Sequence, residues 1–66
     1  MVGAMPTRTE IVMIKDKPWD RAVRVTVTAP SLEGVNFEEL AQRAWRTPAR
    51  EAIIGDAEVK VEPFGR

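Results

Sequence analysis

The sequence predicts a small α+β domain, ordered β-β-α-β: a three-stranded, mainly antiparallel sheet with one helix packed on one face. Three observations predict it. Residues 21–28, "RAVRVTVT", alternate polar and apolar throughout, which is the period of a half-buried strand. Residues 35–40, "VNFEEL", read as a helix start with its own side-chain cap. Residues 57–62, "AEVKVE", alternate again before a proline.

The first strand is expected over Thr7–Lys15, "TRTEIVMIK", rich in β-branched residues that suit a pleated surface. One face carries Arg8, Glu10, Val12 and Ile14, and the other Thr7, Thr9, Ile11 and Met13. Pro18 presets the dihedral favoured at the second position of a type I turn, so Lys17–Asp20 is the expected tight turn. The second strand, Arg21–Thr28, sends Val23, Val25 and Val27 to one face and Ala22, Arg24, Thr26 and Thr28 to the other.

"APSLEGVN" is a loop. Asn36 then caps a helix, with Glu39 placed to complete a capping box and Val35 and Leu40 placed as a hydrophobic staple. Phe37, Leu40, Ala41, Ala44 and Trp45 recur at helical spacing and form the apolar face. Pro48 disfavours helix at Thr47, so the helix is expected to end near Arg46, with a short turn beyond it. Gly55–Asp56 is a turn signal, and Ala57–Glu62 is the third strand, ended by Pro63. A crossover from the second strand would run the third parallel to it, with the first strand between them in spatial order 2-1-3. The third strand lying directly beside the second is the alternative.

One helix covers one face. With Val12 and Ile14 facing it beside the valines, Ile11 and Met13 face outward, rimmed by Arg24, Thr26 and Thr28. Trp19 stands in the expected turn, either folded back over a helix end or projecting toward a partner. Exposed apolar patches on small proteins mark partners, and tryptophan, methionine and arginine are enriched where proteins meet.

Composition narrows the function. The chain has 66 residues, 44% hydrophobic and 30% charged, which makes it globular and at most one domain. Residues 1–6 are expected to form a disordered or extended leader and residues 7–64 the domain. A fold this small buries only about 60% of its unfolded surface. It has no cysteine for a disulfide and no histidine or cysteine for zinc, so oligomerisation or docking is the remaining way to gain stability. Ten basic and ten acidic residues cancel, leaving no overall attraction to nucleic acid or anionic lipid. There is no apolar run of membrane-spanning length and no signal-peptide pattern, so the expected location is cytoplasmic. Seven arginines to three lysines, with abundant alanine and valine, suggest a GC-rich genome, bacterial or phage.

Histidine, cysteine and tyrosine are absent, which removes the usual neutral-pH base and the thiol nucleophile. Asp16 and Asp20 flank a turn and Glu38 and Glu39 open a helix, rather than making a pair that faces a cleft. No glycine pattern makes a phosphate loop and no spacing makes an EF-hand. The expectation is therefore no enzyme, no cofactor, no metal and no small-molecule substrate. The leading reading is a non-catalytic interaction module, a small accessory or assembly subunit. It would bind another protein or itself through Ile11, Met13, Trp19, Arg24 and Thr26. The alternative is a nucleic-acid-binding regulator using Arg43, Arg46 and Arg50, which would line one stripe if helical geometry continued through Pro48.

Overall fold

The structure is a computed structural model describing residues 5–65. Of the leader expected over 1–6, only Met5 and Pro6 fall among the described residues. The elements are β1 (Thr7–Asp16), β2 (Trp19–Thr28), α1 (Phe37–Trp45), β3 (Glu51–Ile54) and β4 (Ala57–Pro63). They form one antiparallel four-stranded sheet in the order β1-β2-β4-β3, with α1 against one face.

The sheet thus has one strand more than the sequence predicts. The additional strand is β3, "EAII", joined to β4 by the two residues Gly55 and Asp56, with Gly55 at φ 64°. That positive φ suits a tight hairpin turn and is open to glycine without a Cβ penalty. The extra hairpin also corrects the strand order. The crossover from β2 through α1 ends in β3, and β4 then turns back to lie antiparallel between β3 and β2. So β1 is an edge strand, not the centre of a 2-1-3 sheet.

The β1–β2 ladder runs unbroken from Thr7–Thr28 to Asp16–Trp19. Only Lys17 and Pro18 remain for the turn, and the peptide bond between them is cis. Pro18 therefore stands at the third position of a turn from Asp16 to Trp19, the place for a cis proline, rather than at the second position of a turn from Lys17 to Asp20.

The core is built from alternate strand residues and one helix face. Val12, Ile14, Val23, Val25, Val27, Val59 and Val61 are buried beneath Phe37, Ala41, Ala44 and Trp45. Ala41 and Ala44 have no exposed surface; their small side chains let the helix axis lie close to the central valines. The helix starts as its sequence specifies. Asn36 is extended, and its Oδ1 accepts from the Glu39 N–H at 3.0 Å.

After Arg46 the chain reverses rather than continuing as helix. The Thr47 hydroxyl lies 2.7 Å from the Ala44 carbonyl and 2.9 Å from the Glu51 carbonyl, and accepts from the Glu51 N–H at 3.0 Å. Arg50 takes a left-handed conformation, φ 58°. Its side chain returns to Trp45, where the guanidinium lies 3.9 Å from the ring centroid and bonds the Trp45 carbonyl. One arginine thus satisfies an orphan carbonyl at the helix end and covers the aromatic ring with a cation.

Asn36→Ala should lower stability by about 1 kcal/mol, because the first turn loses its side-chain acceptor. Urea denaturation checks this: the midpoint should fall with the slope unchanged, and an unchanged midpoint would remove the cap from the account.

Candidate functional site

Among the described residues, nothing covers the face of the sheet away from α1. Strand pairing places its residues in rows. Met13 stands opposite Ala22, and Phe64 joins that row through its N–H bond to the Ala22 carbonyl at 3.1 Å. The neighbouring row is Ile11, Arg24 and Glu62. Ile11 is 49% exposed, Met13 55% and Phe64 46%. Arg24 bonds Glu62 at 3.2 Å, and its guanidinium lies 5.6 Å from the Phe64 ring centroid. The result is an apolar patch of Ile11, Met13, Ala22 and Phe64 with a partly neutralised cation at its margin.

The other half of the same face is polar. Thr9 and Thr26 share a hydroxyl–hydroxyl bond of 2.9 Å, and Thr7 and Thr28 one of 2.8 Å. Thr26 therefore marks the boundary of the apolar patch, its hydroxyl already partnered. Ile53 lies alone at the far corner, 77% exposed and opposite Glu58.

Trp19 does not belong to this patch. It is 77% exposed, so it does not plug the core. Strand alternation puts it on the side of Arg21 and Val23, the side that α1 covers, but beyond the helix at the hairpin tip. Ile11, Met13, Arg24 and Thr26 thus share one face, and Trp19 projects from the other. Sequence reasoning missed Phe64 and Ile53. Phe64 follows the proline that closes β4, yet it keeps the even-numbered parity of Glu58, Lys60 and Glu62, and that parity is the signal that would have found it.

Arg43, Arg46 and Arg50 do not form a stripe. Arg50 is committed to Trp45. Arg43 and Arg46 instead border an open cleft of about 820 Å³ between the helix and the hairpin tip, with Lys15, Lys17, Asp16 and Glu39 also in its lining. Four cations and three carboxylates, Glu38 included, line it.

The hairpin tip is tied to the helix by charge. Asp16 accepts from Arg21 Nε at 2.8 Å, and the Arg21 guanidinium lies 5.3 Å from the Trp45 ring centroid. The Arg21 hydrogen bond, with a smaller contribution from the Trp45 side chain, holds the Asp16 carboxyl below the ordinary aspartate range. Among the described residues no group of three histidine, cysteine, aspartate or glutamate side chains is placed to hold a metal ion. No helix among them is long and apolar enough to cross a membrane. Comparison with protein-family models, curated proteins and solved structures gives no match.

The depressed Asp16 pKa has a definite sign. A carboxylate whose folded pKa lies below its unfolded value stabilises the fold above the unfolded pKa and loses that contribution as pH falls through the folded one. Thermal melts between about pH 5 and about pH 2 should therefore drop less steeply for Asp16→Asn than for the wild type. Parallel curves would show that the Asp16–Arg21 pair contributes nothing to stability.

Proposed function

We propose that this protein is a non-catalytic interaction module, an accessory or assembly subunit whose working surface is the open face of its sheet. The observation that carries the reading is the contiguous patch of Ile11, Met13, Ala22 and Phe64 on the sheet face that none of the described residues covers. Three of these side chains are about half exposed, although the molecule has a helix for its other face. The occupant that suits this patch is a protein surface with an apolar centre. Arg24 stands at the margin, where its charge can orient a partner without being buried. Trp19, at the hairpin tip, supplies a separate aromatic contact on the opposite side.

Absent histidine and cysteine and the dispersed acids support a non-catalytic role. A nucleic-acid role draws less support. It requires three arginines in line, and Arg50 stacks on Trp45 while Arg43 and Arg46 share their cleft with carboxylates.

The wild-type protein should show an apparent mass that rises with concentration in light scattering. Ile11→Thr with Met13→Thr should lower that mass while the circular dichroism spectrum is kept, since threonine suits an exposed strand and removes only the apolar surface. The reading fails if wild type and double variant scatter alike at every concentration.

A further inference from the structure

We propose that two copies of this chain pair edge to edge through β1, antiparallel and about a two-fold axis at Thr9, to make one eight-stranded sheet. The proposal deepens the reading of the protein as an association module by naming a second copy as one partner and β1 as the edge it uses.

The argument begins with which backbone groups are free. The Ala29 N–H bonds the Pro6 carbonyl at 3.2 Å, and a two-residue turn closes the ladder at Asp16–Trp19. In an antiparallel pair, bonded and non-bonded residues alternate. The even-numbered residues of β1 therefore bond β2, and the odd-numbered ones aim their N–H and C=O at the open edge. Lys15 shows this directly. Its N–H is bonded by Gln42 Oε1 at 2.9 Å, and its carbonyl by Gln42 Nε2 at 2.8 Å. The helix thus covers the edge at Lys15, and among the described residues nothing bonds the outward groups of Thr7, Thr9, Ile11 and Met13. An open run of this kind recruits another strand unless something blocks it.

Charge selects the register. With the axis at Thr9, Thr9 meets its own copy, Thr7 meets Ile11, and Met5 meets Met13. On the helix side of the same strands, Arg8 of each copy stands opposite Glu10 of the other, so two opposite-charge pairs form. An axis at Arg8 would set Arg8 against Arg8, and an axis at Glu10 would set Glu10 against Glu10. Like charges directly opposite are destabilising. An axis at Ile11 would call on the Lys15 backbone that Gln42 already holds. Arg8 is exposed and Glu10 partly exposed, and they lie 3.7 Å apart within one copy, so both can turn to the second copy.

The test uses the Ile11→Thr, Met13→Thr protein, in which the apolar face is silenced and the edge is intact. Sedimentation equilibrium should find a dimer. Thr9→Pro added to it should give a folded monomer, because the Thr9 N–H points out of the sheet and its loss leaves the internal ladder whole. Arg8→Glu alone and Glu10→Arg alone should each weaken the dimer roughly tenfold or more. Mixing those two single variants should restore it, since each then meets opposite charge. Should Thr9→Pro fail to fold, the charge exchange decides the matter alone. A monomer before Thr9→Pro is added, a dimer indifferent to the proline, or a mixture no tighter than its components overturns the edge pairing. The face reading fails on a different result, identical scattering by wild type and the threonine pair, so either can fall without the other.

Discussion

A nine-residue helix can cover one face of a four-stranded sheet and no more. Most of the architecture follows from that constraint. Each long strand must divide its residues into an apolar set under the helix and a second set facing away, and β1, β2 and β4 all do so. The helix must sit near the middle of the sheet, over Val23, Val25, Val27 and Val59, and Ala41 and Ala44 let it approach there. At its C-terminal end the layer would be open, and Trp45 fills that end. The ring is in turn covered by guanidiniums reaching in from β2 and from the residue before β3. Arginine suits this place because its planar cation stacks on an aromatic face while keeping donors for a carbonyl or carboxylate.

The second face is left to solvent, and its two halves differ. The threonines tie β1 to β2 through their hydroxyls and present methyl groups and oxygens together. The half nearer the hairpin tip holds larger apolar side chains that nothing among the described residues covers. A sheet of this size has no folding need for a half-exposed isoleucine, methionine and phenylalanine in adjacent rows, which is why the patch reads as a surface for contact.

Features with a local cause were legible in the sequence. The Asn36 cap depends on a side chain reaching an N–H three residues on. The faces of β1 and β2 follow from period two, and so does the outward orientation of Ile11 and Met13. Features whose cause lies elsewhere in the chain were not. Ala52, Ile53 and Ile54 are three apolar residues in a row, so β3 carries no alternation to read, and it exists because β4 offers it a partner. Without it, the parallel crossover puts β1 at the centre, whereas the alternative that sets the last strand beside β2 is the arrangement found. Gln42 looks like an ordinary surface residue of the helix, and its bonds to Lys15 span 27 positions of sequence. Arg50 looks like one more helix-end cation until the left-handed backbone turns it back onto Trp45.

The bonds of Thr47 to the backbone of Glu51 have a consequence for how far any assembly can grow. By the same alternation that applies to β1, β3 turns only Glu51 and Ile53 toward its open edge. The Thr47 oxygen accepts the Glu51 N–H, and its one hydroxyl proton is shared between the carbonyls of Ala44 and Glu51, so only Ile53 keeps both its groups open to an incoming strand. Along the hydrogen-bonding direction the β3 end of the sheet is therefore terminated from within, and the β1 end is not. A unit with one extensible end forms closed pairs, whereas open-ended filaments need two such ends. A side-chain hydroxyl in a tight turn, acting on one residue of a four-residue strand, would thereby keep any strand-on-strand growth from the β1 edge from running past a pair.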